Sequence, residues 1–406
     1  MKKKARGLND SKGDGLTRRT DHACKSCGAT GLSVFYECKQ SPVHSILLMT
    51  TRDEAVNYPK GEVALAFCGS CGFISNIAYR PELQDYSPRC EESQGFSETF
   101  NKFSRDLAKR LIAKYQITDK EIIEIGCGKG EFLNLLCELG GNRGLGFDPA
   151  YVKNRQSSPD GVNFINDFYS EKYALMKADF VVCKMTLEHI ERPADFIRSI
   201  RSSLAGRPET VVFFQVPDAT RVLYELAFWD IYYEHCSYFS TGSISKLFTD
   251  SGFEVMDISR DYEGQYIMLE ARASGGVTKE KTIEDAGNLA FAVKYFTENC
   301  NQKISIWKRK LRDFHATGYR IVLWGSGSKA VAFLTTLNIS EEIKYVVDIN
   351  PHRHGTFIAG TGQEIVPPDF LKTYKPDAVI AMNPVYKDEI QGDIDRMGLE
   401  AVLMTM

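Results

Sequence analysis

The sequence predicts an α/β protein of two strand-and-helix units, the second smaller, behind a short cysteine-rich module. Three observations predict it. Two stretches alternate apolar strand-like runs with helical periodicity, and in each a glycine-rich turn follows the first strand. Two Cys-x-x-Cys-Gly turns precede the first stretch. The chain, at 406 residues, is longer than one hydrophobic core supports.

Composition excludes several classes. Fifty Lys and Arg face 53 Asp and Glu, and 43% of residues are hydrophobic, which is ordinary for a globular chain and unlike a disordered or fibrous one. A net charge of -3 gives no pull toward nucleic acid or an anionic membrane, so neither is expected as a partner. No apolar run approaches the roughly 18–20 residues of a membrane span. The basic start, MKKKARGLNDSKGDGLTRRTD, has no apolar stretch behind it and does not read as a secretory signal. Eleven cysteines, an odd number, fit a reducing cytoplasm better than a disulfide framework.

The elements follow in order. Residues 1–21 hold almost no apolar side chains and read as a disordered basic tail. Residues 22–85, short and turn-rich around the cysteine pairs, form the zinc-binding module. In residues 86–275, Phe100, Phe103, Leu107, Leu111, Ile112 and Tyr115 recur on one helical face. EIIEIG is then a buried strand, GEFLNLLCELG a helix and RGLGFD a second strand. ADFVVCKM and TVVFFQVP are further strands around the helix PADFIRSIRSSL, and GFEVMDISRD with GQYIMLEARA reads as a closing antiparallel pair. Residues 276–317 are a connecting helix, with Leu289, Val293, Phe296, Cys300, Ile304, Trp307, Leu311 and Phe314 in register. Residues 318–406 restart the alternation with RIVLWGSG, a helix from Ser328 to Leu337, KYVVDIN and PDAVIAMN.

Cys24, Cys27, Cys68 and Cys71 have the spacing of a four-thiolate zinc site. Each pair reaches one ion at about 2.3 Å, and four protein ligands leave no open position, so the zinc is structural. After the strand EIIEI, Gly126-Cys-Gly128-Lys-Gly130 lets backbone approach a ligand while turning into a helix. Its G-x-G-x-G spacing behind Glu124 differs from the G-x-G-x-x-G of dinucleotide binders. Asp148 ends the next strand, where an acid accepts from both ribose hydroxyls, and Asp167 follows the third strand, placed for an adenine amino group. The combination predicts S-adenosylmethionine (SAM) as cofactor.

EIGCGKGEFL, the acid of GFDP and MTLEHIERPADF resemble motifs of the class I SAM-dependent methyltransferases, whose domain is Rossmann-like. The larger pattern adds the Cys pairs, Y-x-E-H-x-S-Y-F-S and a C-terminal D-x-N-P, and resembles the sugar C-methyltransferase family from Cys24 to the end. The resemblance implies a zinc-binding N-terminal module, a SAM domain and a C-terminal α/β domain that binds substrate. It implies methylation of carbon in a nucleotide-linked keto-deoxysugar. Two departures touch the substrate side: WGSGSKAVAFL replaces a G-A-x-x-K-G type loop, and Cys90 stands where a second tyrosine is common.

Methyl transfer to carbon requires a base beside the ketone and a group that stabilises the enolate oxygen. His235 is the expected base. The resemblance places Tyr232, a phenol donor for the enolate, three residues before it, and Glu234 binds the sugar or orients His235. Glu188 and His189, after the fourth strand, are expected to shape the SAM pocket. Tyr86, Tyr233, Lys329 and Asn383 are candidates for the substrate side. Gly325-Ser-Gly-Ser-Lys-Ala330 does satisfy G-x-G-x-x-A, with Asp348 ending the next strand. Read alone it proposes NAD and hence a second, ketone-reducing activity. A helix N-terminus with a lysine also holds the diphosphate of a nucleotide sugar, and a purely structural turn is the third reading. Methylation of another small molecule or of RNA is the remaining alternative.

Overall fold

The structure is a computed structural model in which residues 18–153, 155–273 and 286–406 are described. Most of the tail expected over residues 1–21 lies outside them. Its last part is a strand, β1 (Arg18–Thr20), because Arg19 and Thr20 pair with Ser33 and Leu32. The first sheet is antiparallel and runs β1, β2 (Leu32–Pro42), β3 (Lys60–Phe67), β4 (Ile74–Asn76), with α1 (Arg52–Asn57) between β2 and β3. Its fifth strand, β10 (Ser237–Tyr238), comes from the second unit, with Ser237 opposite Ser75 and Tyr238 opposite Ile74.

The second sheet has seven strands: β5 (Glu121–Ile125), β6 (Arg143–Phe147), β7 (Val162–Ile165), β8 (Phe180–Lys184), β9 (Val211–Pro217), β11 (Glu254–Asp261) and β12 (Tyr266–Arg272). Their order is β11-β12-β9-β8-β5-β6-β7, with β12 antiparallel to both neighbours and the central strands parallel. A strand flanked by others and covered on both faces is buried along most of its length, and four of the five residues of β5, Glu124 among them, are buried. Helices α2 (Glu98–Tyr115), α3 (Glu131–Gly140), α4 (Pro193–Ser203), α5 (Ala219–Tyr224) and α6 (Thr241–Asp250) accompany this sheet. Ser97 caps α2 by accepting from Phe100 N at 3.1 Å, and Ser240 with Ser243 forms a capping box on α6.

The third sheet is all parallel: β13 (Ile321–Trp324), β14 (Ile343–Val347), β15 (Glu364–Val366), β16 (Ala378–Ala381) and β17 (Val402–Thr405), ordered β15-β14-β13-β16-β17. Its helices are α8 (Ser328–Leu337), α9 (Leu371–Tyr374) and α10 (Lys387–Arg396). The connecting helix α7 spans Ala286–Ala316, and the rest of its expected range, residues 276–285, lies outside the described residues.

The three parts share one core. Phe228, after α5, stacks on Phe333 of α8 at 6.0 Å, and Trp307 of α7 meets Phe333 edge-on at 5.4 Å. Phe296 of α7 meets Phe35 of β2 at 6.1 Å. The N-terminal module also touches the last domain directly, with Phe357 N donating to Met49 O and Gly360 N to Ala55 O. Burial of these aromatic faces holds the parts at fixed positions, so the cleft between them is built by packing.

Candidate active site

At the carboxyl end of β5 the chain leaves toward β6 on one side and β8 on the other, which opens a crevice. β13 does the same between β14 and β16. Both openings face one cavity of about 990 Å³, whose walls include His44 and Tyr86, the first glycine loop, Asp148, His235, Lys329 and Asn383. Each of the three parts therefore supplies wall residues.

The glycine loop forms the floor. Gly126 sits at φ +71°, and a Cβ there would lie 2.0 Å from Thr186 Oγ1. Gly130, at φ +82°, starts α3 and would meet the Phe164 ring at 2.4 Å. Asp148 braces the loop, accepting from Gly128 N at 2.9 Å and from Ala150 N at 2.7 Å. A carboxylate has about four lone-pair sites, so those facing the cavity remain for hydroxyl donors. Glu124 is fully enclosed, and burial pushes its pKa to about 8 despite the nearby Lys184 ammonium. Asp167 borders the same cavity, where Lys172 and the Tyr173 hydroxyl (2.7 Å) hold it. Glycine backbone without side chains, ringed by acids that accept hydrogen bonds, suits a ligand with ammonium, ribose hydroxyl and adenine amino donors. That is the donor set of SAM.

The tyrosine-histidine segment is clamped from two sides. β10 pairs with β4, while Cys236 N donates to Glu188 O at 3.0 Å and Ser237 Oγ to Ile190 O at 2.7 Å. The clamp brings His235 and the Glu188–His189 turn together, with the two imidazole centroids 4.9 Å apart. His235 Nε2 lies 3.0 Å from the Tyr232 hydroxyl and 4.0 Å from Glu188 Oε1. Burial lowers the His235 pKa well below 6.5, and His189 and Lys329 push the same way, so the imidazole is neutral at pH 7. Burial likewise lowers His189 to about 4. It raises Tyr232 well above 10, so the phenol keeps its proton.

Glu234 points away from His235. It accepts from Ser45 N at 2.9 Å and Ser45 Oγ at 2.5 Å and lies 3.0 Å from His44 Nδ1. Burial would raise its pKa, but His44 and the serine donors outweigh that and hold the carboxyl below its usual range. Tyr86 lies against His44 with ring centroids 6.2 Å apart, on the cavity wall.

Tyr233 requires a correction. It does not border the cavity: its ring is fully buried against Tyr79, its hydroxyl accepts from Arg80 N at 2.9 Å, and Gly61 leaves the space for it. Tyr233 lies in the turn before β10, and its ring packs into the core there. Asn383 borders the cavity, but its amide exchanges two hydrogen bonds with Gln265, at 2.8 and 3.1 Å, across the two α/β units. Lys329 is paired with Asp230, which also accepts from Arg221 at 3.0 Å.

The second glycine loop repeats the first. Asp348 accepts from Ser326 N at 2.8 Å and Asn350 N at 2.8 Å, as Asp148 accepts from Gly128 and Ala150. The second loop is also tied to the other parts. The Ser328 hydroxyl donates to Ser45 Oγ at 2.7 Å, and buried Arg353 reaches both Ser326 O (3.3 Å) and Glu91 O. Glu91 in turn accepts from Arg155 at 2.9 Å and Asn350 at 2.8 Å. Glu92, beside the first loop, is 3.2 Å from Lys129, and burial pushes its pKa to about 7. Sequence reasoning missed Glu91, Glu92, His44, Ser45 and Asp230. Their only signal is polar side chains in loops without periodicity, because the partners that give them roles are distant in sequence.

Away from the cavity, the four cysteines converge. Cys24 and Cys71 sulfurs are 3.7 Å apart, as are those of Cys27 and Cys68, and all four lie within 4.8 Å of one another. Tetrahedral Zn–S bonds of about 2.3 Å place sulfurs about 3.8 Å apart, so the donor set fits a closed zinc site. Among the described residues no helix is long and apolar enough to cross a membrane.

Comparison with known proteins agrees with this geometry. Residues 96–258 match the family described as a methyltransferase domain, and residues 271–399 the C-methyltransferase C-terminal domain. The chain is 25% identical over 304 residues to C-methyltransferase NovU of Streptomyces niveus, covering 70% of this chain and 72% of that protein. Among solved structures it is similar to the 1,6-didemethyltoxoflavin-N1-methyltransferase of Burkholderia thailandensis, with 16% identity and a TM-score of 0.33 over 43% of this chain and 79% of that one. It is also similar to a SAM-dependent methyltransferase of Mesorhizobium loti, with 15% identity and a TM-score of 0.32 over 41% of this chain and 99% of that one. The chain is a SAM-dependent methyltransferase that joins a methyltransferase domain to a C-methyltransferase C-terminal domain.

Proposed function

We propose that this enzyme methylates a nucleotide-diphosphate-linked keto-deoxysugar at the carbon next to its ketone. The observation that carries the reading is a neutral imidazole, His235, with the Tyr232 phenol 3.0 Å from its Nε2, on a wall of the cavity floored by the glycine loop. His235 Nε2 takes the proton as the carbon–hydrogen bond breaks, and the electron pair moves onto the ketone oxygen. Tyr232 turns its O–H from Nε2 to that oxygen and stabilises the enolate. When bound, SAM would supply an electrophilic methyl for carbon, its sulfur–methyl bond breaking to leave S-adenosylhomocysteine. Glu124, Asp148, Asp167 and the glycine backbone hold the cofactor, with Glu188 and His189 on its edge.

The substrate lies between the two α/β units, with its diphosphate at the N-terminus of α8 beside Lys329. That loop serves the shared cleft, since its serines and Arg353 are tied to the rest of the enzyme. Glu234 and Tyr86 orient the sugar side. The cysteine cluster holds a structural zinc that keeps β4, and through it β10, in place.

The test is α-proton exchange in heavy water, with a panel of ketosugar nucleotides and S-adenosylhomocysteine present. Wild-type enzyme is expected to exchange the proton, and His235→Asn to lose exchange by about 10²-fold or more while still binding the cofactor. Unchanged exchange in His235→Asn overturns the assignment of the base.

A further inference from the structure

The turn Leu187–His189 places one more charged group at the base. We infer that Glu188 is the charge partner of His235: a positioning residue whose carboxylate offsets the imidazolium formed when His235 takes the substrate proton. This rests on the reading of His235 as the base.

The geometry is specific. The Glu188 side chain is 1% exposed, its Oε1 is 4.0 Å from His235 Nε2, and neither carboxyl oxygen meets a hydrogen-bond donor from another residue. A buried carboxyl without a partner is costly and rare in a folded protein. The other buried acids of this cavity are engaged. Glu234 has His44 and Ser45, Asp230 has Lys329 and Arg221, Glu92 has Lys129, Asp218 has Arg260, and Glu124 has the Lys184 charge. Glu188 stands without a cation and faces the one group that becomes a cation during the reaction.

His235 needs such a partner. Burial opposes its charge, and His189 and Lys329 oppose it further. Glu234, its neighbour in sequence, is already taken. The proton moves from substrate carbon to Nε2, the electron pair goes to the ketone oxygen, and the ionised Glu188 is a carboxylate both before and after the transfer.

Burial alone raises the Glu188 pKa to about 8, so its charge appears as pH rises through that value. The titratable groups facing it or His235 are His189, Tyr232, Tyr238 (which burial raises well above 10), Cys183, Cys236, Tyr266 and Lys329. His189 titrates at about 4 and Cys236 at about 12, and burial sends Tyr232, Tyr266 and Cys183 upward. Burial draws Lys329 down from 10.5, so Glu188→Gln is the variant that separates the carboxyl from the ammonium.

Two readouts test the proposal on the full-length enzyme. In the protein alone, the His235 ring resonances are expected to step near pH 8 as Glu188 ionises, and Glu188→Gln should remove that step. With the ketosugar nucleotide that the wild-type enzyme exchanges, the exchange rate should rise through the same pH. Glu188→Gln should lose that limb and about 10²-fold in rate at its upper end. A step and limb that persist in Glu188→Gln overturn the inference. If His235→Asn meanwhile abolishes exchange, the base assignment stands and only the partner is wrong; if His235→Asn exchanges normally, the base assignment itself fails. Should Glu188→Gln not fold, Glu188→Asp keeps the carboxylate and is expected to keep the step at lower rate. A folded Glu188→Asp without the step equally overturns the proposal.

Discussion

His189 shows how burial, outweighing a nearby carboxylate, sets a residue's chemistry. Its pKa of about 4 in the fold lies below the ordinary 6.5 of an exposed imidazole. Between those values the unfolded chain takes up a proton that the folded one refuses, so stability is full above about 6.5 and falls as pH drops toward 4. Replacing His189 with Asn is expected to flatten part of that acid loss in thermal melts recorded from pH 7 to pH 4. An unchanged slope would show that His189 is not the group charging on unfolding. Glu188 has the opposite sign. Its raised pKa favours the folded state at low pH, and that contribution disappears as pH rises toward about 8.

At the scale of elements, two short pieces decide the site. The turn from β5 into α3 works only if backbone passes close to Thr186 and Phe164, which glycine permits. Gly126→Ala puts a methyl 2.0 Å from Thr186 Oγ1 at a φ of +71°, so SAM affinity is expected to fall by at least about 100-fold in calorimetric titration. Wild-type affinity in that variant would remove the loop from the cofactor site. The second piece is β10, which has two residues and relies on β4 for its pairing. Cys68→Ser is therefore expected to lose zinc, loosen β4 and depress turnover more than SAM binding. Metal analysis beside kinetics and SAM titration would read the split, and equal loss of both would place the module's role elsewhere.

Across the whole molecule, the cleft depends on polar bonds bridging the packed parts. Asp230 sits between Arg221 of α5 and Lys329 of α8. Asp230→Asn leaves two enclosed cations without their anion and is expected to destabilise the fold by about 3 kcal/mol, measured by denaturant unfolding. It should also shift the apparent affinity for the nucleotide sugar through Lys329. A variant as stable as wild type would show that the aromatic core around Phe228, Trp307 and Phe333 alone holds the units together.

Local pattern in the chain determined the alternating strands and helices, the glycine turns, the cysteine pairs and the Tyr232–His235 segment, because each depends on neighbours a few residues away. The burial of Tyr233, expected on the substrate side, the engagement of Asn383 by Gln265 and the roles of Glu91, Glu92, Ser45 and Asp230 were decided by tertiary structure. So was the joining of β10 to the cysteine module and the placing of Glu188 beside His235. These pairings join residues tens to hundreds of positions apart, and burial sets their charges. No local periodicity encodes either one.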